Sequence, residues 1–152
     1  MAYENTSVPV SRSQEGIRKL VLQNKGTGVA FISQPPLEGF EAHVPVDGKT
    51  YRIRIMAECE ESGMTKGRWF RGRHIAPRDR REDQVRRVWR VLYYHLKGVY
   101  EASNSGVMEF RELVLPYIVT ADGRTVAQRI IPKLDSAITS DPARLLPERV
   151  EG

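Results

Sequence analysis

Two runs of alternating apolar residues, Phe40, Ala42, Val44, Val46 and then Tyr51, Ile53, Ile55, are joined through Asp47-Gly48. Both central residues of a two-residue type I′ turn need positive φ, which glycine adopts freely and aspartate tolerates, so the pattern predicts a β-hairpin over 40–56. The turn also sets the register. Val46 faces Lys49, Val44 faces Tyr51, Ala42 faces Ile53 and Phe40 faces Ile55, so nearly every pair on that face is apolar. Glu41 opposite Arg54 and His43 opposite Arg52 lie on the other face. Pro45 falls opposite Thr50 with its missing N–H directed away from the hairpin, so the first strand is there either an edge or locally unpaired.

The remaining elements must cover that apolar face. Residues 1–10 read as an extended arm. Ser11 and Ser13 offer caps for a helix carrying Ile17, Leu20, Val21 and Asn24 on one side, with Gly26 and Gly28 ending it. Val29–Ser33 reads as a short buried strand closed by Gln34-Pro35-Pro36. Residues 57–78 show no periodicity and read as a loop. A long helix follows from Asp79, with Glu82 completing a capping-box pattern; its buried face is Val85, Val88, Trp89, Leu92, Leu96, Val99, Tyr100 and Ser103. A shorter helix bears Phe110, Leu113 and Val114. Ala121-Asp122-Gly123 makes a turn, and Thr125 caps a last helix with Val126, Ile130, Leu134 and Ile138 on one side, kinked at Pro132. These elements predict one α+β domain over 1–140: a three-stranded, mostly antiparallel sheet packed against an N-terminal helix and two or three C-terminal helices. Residues 141–152 read as a flexible tail.

The chain of 152 residues is long enough for one core, and its 40% hydrophobic content sits in the globular range. No apolar run reaches membrane-spanning length and the N-terminus lacks a signal-peptide pattern, which points to a cytoplasmic protein without a membrane partner. The single cysteine, Cys59, excludes an intramolecular disulfide and a multi-cysteine zinc site, and fits a reducing compartment.

Charge is the functional signal. The net charge is +5, yet residues 66–90 alone hold ten bases against three acids. Nine of those ten are arginine, the residue that forks onto phosphate and stacks on bases. Several sit at the start of the long helix, where the macrodipole favours acids instead. Trp69 and Phe70 lie between Arg68 and Arg71, an interleaving suited to stacking on single-stranded nucleic acid. The candidate nucleic-acid-binding residues are therefore Lys66, Arg68, Trp69, Phe70, Arg71, Arg73, Arg78, Arg80, Arg86, Arg87, Arg90, Tyr94 and Lys97, with Trp89 assigned to the core. The partner is a single strand or a duplex. The rival readings are a protein partner with an acidic surface, and a plain solvated charge run.

Enzymatic chemistry finds little support. The histidines His43, His74 and His95 have no ligand spacing, so no metal or other cofactor is expected. A metal-dependent nuclease would need converging carboxylates from among Glu41, Asp47, Glu58, Glu60 and Glu61. Glu41 is better explained by Arg54 across the hairpin, and Asp47 by the turn. Flanking glutamates would raise the Cys59 thiol and oppose nucleophilic use.

The opening Glu4-Asn5-Thr6-Ser7-Val8-Pro9-Val10, the tryptophan-bearing basic helix and Asp122-Gly123-x-Thr125-Val126 together resemble small proteins that recur in bacteriophage and prophage genomes. The resemblance is strongest over 4–20, 85–101 and 107–134. It implies a phage-encoded protein acting inside the bacterial host cell and carries no catalytic residues with it.

Overall fold

A computed structural model describes residues 6–59, 67–76 and 80–138. The hairpin is its centre. β2 (Leu37–Val46) and β3 (Lys49–Glu58) pair antiparallel in the register that the Asp-Gly turn dictates, from Val46 opposite Lys49 to Phe40 opposite Ile55 and beyond. Asp47 and Gly48 have φ of 49° and 77°, the two positive values that the turn requires. β1 (Gly28–Gln34) pairs with the other edge of β2, giving the order β1-β2-β3. Its pairing ends at Gly28 opposite His43, so among the described residues Pro45 meets no strand on that side and its lack of an N–H costs nothing.

Two helices cover the apolar face. α1 (Val10–Gln23) contributes Ile17 and Val21, and α2 (Arg80–Asn104) contributes Trp89, Leu92, Leu96, Val99 and Tyr100. They close over Phe40, Ala42, Val44, Val46, Ile53 and Ile55 to form one core. α1 starts earlier than the serines indicate. Pro9 takes the N-cap position with extended backbone, no side chain caps the helix, and Ser13 is buried in the first turns. Proline suits a helix start because it has no N–H to leave unsatisfied. The capping box proposed at Asp79 lies outside the described residues.

α1 and α2 approach closely because residue 16 is glycine. A Cβ there would lie 2.7 Å from Tyr93 Cε2 and 2.9 Å from Cδ2. The glycine that weakens the helix locally thus admits the Tyr93 ring.

After α2 the chain forms α3 (Phe110–Val114) and a 3₁₀ turn (Leu115–Tyr117). Ile118 then bridges to Ile53, and the Val119 N–H donates to the Arg52 carbonyl at 2.8 Å, adding a short fourth rung to β3. The expected turn at Ala121-Asp122-Gly123 is present, with Gly123 at φ 82°. Thr125 caps α4 (Val126–Ile138) reciprocally with Gln128: the Gln128 N–H donates to Thr125 Oγ1 at 3.2 Å, and the Thr125 N–H to Gln128 Oε1 at 2.9 Å. α4 keeps Pro132 inside it and does not bury its apolar side. Ile130, Ile131 and Leu134 are 48–54% exposed, so this helix is not part of the cover on the sheet. Among the described residues no helix is long and apolar enough to cross a membrane.

Candidate nucleic-acid interface

The stretch read as loop contains regular structure. β4 (Arg68–Phe70) and β5 (Arg73–Ile75) pair antiparallel around Arg71-Gly72, whose φ values of 48° and 73° make a second turn with two positive φ angles. Arginine is a poor turn former at positive φ, and for that reason the hairpin is not visible in the sequence. Lys66 and Arg78 lie outside the described residues, as does the side chain of Phe70.

Register sorts the ribbon's side chains. Trp69 faces His74 across the strands, with ring centroids 5.3 Å apart at 62°, while Arg68 and Arg73 fall on the opposite face. The tryptophan and those two arginines therefore do not form one surface: one face carries Trp69 and His74, the other Arg68, Arg73 and Ile75, and Arg71 stands at the tip. Trp69 is 74% exposed, and Arg68, Arg71, Arg73 and His74 are exposed too. Two paired three-residue strands are marginal as an isolated unit.

α2 sorts its basic residues in a similar way. Arg80, Arg87, Arg90, Tyr94 and Lys97 recur at helical spacing on the side away from the core. The Arg90 guanidinium carbon lies 4.9 Å from both the Tyr93 and Tyr94 ring centroids, and its Nη2 donates to the Tyr94 hydroxyl at 3.3 Å. Lys97 Nζ lies 5.8 Å from the Tyr94 centroid and 3.8 Å from Glu101. Tyr94 is exposed at 38%, but these cations hold it, which leaves Trp69 as the freer ring for stacking.

Arg86 departs from this stripe. It pairs with Asp83, and its Nε is buried without a hydrogen-bond partner among the described residues. It lines a cavity of about 400 Å³ with Arg81, Val85, Val10 and Ser33, whose wall includes Glu38. Glu38 is 2% exposed; its carboxylate accepts from Ser33 Oγ at 2.7 Å and from Trp89 Nε1 at 3.1 Å. Cys59 belongs to the same end of the sheet. Burial pushes its thiol up, Glu38 adds to that, and Arg81 and Arg87 pull it back. Among the described residues Glu38 is the acid that raises Cys59, and Glu60 and Glu61 lie outside them.

Sequence reasoning also missed α1 as a source of charge. Arg12 and Lys19 line a groove of about 430 Å³ between α1 and α2, together with Arg90 and Tyr93. Their seven-residue spacing was legible, but which side of α1 meets α2 was not.

Glu41 is fully engaged. Arg54 Nε donates to its Oε1 at 2.7 Å, and Arg52 Nε lies 3.7 Å from its Oε2. Arg54 also donates to the Gly123 carbonyl at 2.9 Å, which fastens the turn before α4 to the sheet. Among the described residues no group of three or more His, Cys, Asp or Glu side chains could hold a metal ion.

Compared with protein families, with curated proteins and with solved structures, the chain matches none.

Proposed function

We propose that this protein is a non-catalytic, basic nucleic-acid-binding accessory protein, phage-encoded and acting inside the bacterial host cell. The ribbon is the observation that supports this reading most directly. An exposed two-stranded arm with arginines on one face and at its tip, and a tryptophan–histidine pair on the other, can meet phosphates and bases at once. Arg80, Arg87, Arg90 and Lys97 extend the positive surface along α2. Such contacts give strongly salt-dependent binding with little sequence preference.

Trp69 makes the reading easy to test. Trp89 is fully buried and Trp69 is 74% exposed, so acrylamide-accessible fluorescence reports the ribbon. Adding an unlabelled oligonucleotide at low salt should quench that signal, and replacing Arg68, Arg71 and Arg73 together by glutamine should abolish the effect. A wild-type protein whose emission and polarisation ignore every DNA and RNA at low salt would refute the reading.

A second reading has its own observation. α4 exposes Ile130, Ile131 and Leu134 along one side, an apolar patch suited to docking on a host or phage protein. Co-purification of one such protein, lost on Ile130→Glu, would support this reading over the first.

A further inference from the structure

We propose that the groove between α1 and α2 is a phosphate-binding cleft for one backbone of a nucleic-acid duplex, an inference that rests on the nucleic-acid reading above. The groove follows from packing. Gly16 lets the Tyr93 ring lie against α1, and the two helices leave a trough of about 430 Å³ beside that contact. Arg12 and Lys19 sit one turn to either side of Gly16, so their Cα atoms are about 10 Å apart along the helix axis. Arg90 faces them from α2, its guanidinium stacked on Tyr93. Glu15 is the acid in the groove, and it pairs with Arg18 at 3.4 Å. Among the described residues Arg12 and Lys19 have no acid partner, and both are exposed.

The chemistry selects phosphate over base. Tyr93, the groove's ring, is half-buried with one edge against Gly16, and the Arg90 guanidinium already lies over it where a base would stack. Ser11 adds a hydroxyl at the rim. The cations stand on two packed helices, which fixes the spacing of their Cα atoms. A rigid array about 10 Å long matches the axial rise of roughly three phosphates on one duplex strand, whereas a single strand offers no regular spacing to match. The ribbon leads into α2 at Arg80, about 15 Å along the helix axis from Arg90.

The test is fluorescence polarisation of the full chain with a labelled 16-base-pair duplex and with either of its strands, across a potassium chloride series. Arg12→Gln with Lys19→Gln should weaken duplex binding about tenfold or more and flatten the salt dependence by nearly two phosphate contacts. Both positions are exposed, so an unchanged melting temperature shows that the variant is folded. Single-strand binding should change much less. Unaltered duplex affinity and salt slope, or an equal loss for single strands, would overturn the cleft while leaving the ribbon's role standing. A wild-type protein that binds no nucleic acid would remove the parent reading, and the cleft with it.

Discussion

Trp89 Nε1 donates a hydrogen bond to the buried carboxylate of Glu38 at 3.1 Å, joining the middle of α2 to the start of β2 across 51 positions of sequence. The indole is also boxed in by Phe31, whose ring meets it edge-on at 5.7 Å and carries Arg18 on its own face at 5.2 Å. The largest core side chain thus has both its apolar body and its one polar atom satisfied. Glu38→Leu would leave that buried N–H without its acceptor. Such orphaned groups cost about 1–3 kcal/mol, and Glu38→Gln, which keeps a carbonyl acceptor, should cost about 1 kcal/mol. Urea denaturation ranks the two variants. Equal stability of Glu38→Leu and the wild type would show that the bond contributes nothing.

Tyr100 presents the opposite case. Its ring stacks on Phe110 at 5.2 Å and 14°, yet its hydroxyl is buried without a partner among the described residues. Burial holds the phenol in its neutral form, with a pKa pushed up to about 12. The sign follows directly. An unfolded tyrosine ionises near pH 10, so this contribution to stability is complete below about pH 10 and is lost as the pH rises towards about 12. Tyr100→Phe removes both the orphan hydroxyl and the alkaline liability. It should leave stability at pH 8 equal to or about 1 kcal/mol above wild type, and lose less between pH 8 and pH 11. Thermal melts at the two pH values check this, and a steeper alkaline loss in the variant would contradict it.

The parts of the fold that were legible in sequence are those governed by local chemistry. Asp47-Gly48 specified a turn, the turn specified the register, and the register placed Glu41 against Arg54. The α2 core face and the Thr125 cap were equally plain, because helical period and capping are properties of neighbours in sequence. The candidate site was less legible for three separate reasons. The Arg71-Gly72 hairpin uses a residue that turn preferences disfavour. Glu38 and Trp89 meet only through the tertiary fold, so nothing within reach of Glu38 marks it as buried. The apolar stripe of α4 is real, but periodicity shows that a helix has such a face and not what covers it.

The Gly16–Tyr93 contact allows a double-mutant cycle. Gly16→Ala should gain up to about 1 kcal/mol of helix propensity but forces the Tyr93 ring aside, and overpacking of this kind typically costs about 1–3 kcal/mol. A net loss is expected, with displacement of Arg90 from its stacked position. Tyr93→Ala alone should also destabilise. In the Tyr93→Ala background, however, Gly16→Ala should become neutral or stabilising, because the clash at 2.7 Å no longer exists. Additive costs in the cycle would mean that Gly16 is not there for the ring.

The two residues of the ribbon turn separate charge from geometry. Arg71 sits at φ 48°, a conformation that asparagine adopts more readily than arginine. Arg71→Asn therefore suits the backbone of the turn while deleting one cation at its tip. If the tip contacts phosphate, this variant should bind nucleic acid more weakly and lower the salt slope by about one contact, with the Trp69 emission of the free protein unchanged. Gly72→Val does the reverse. It keeps every charge but places a β-branched side chain at φ 73°, where such residues are strained. That variant should loosen the Trp69–His74 contact, shift the free-protein emission and cut affinity with the salt slope nearly intact. Polarisation titrations at several salt concentrations distinguish the two patterns. If Arg71→Asn binds as tightly as wild type at every salt concentration, the tip does not contact phosphate, and the charge that matters lies on Arg68, Arg73 or α2.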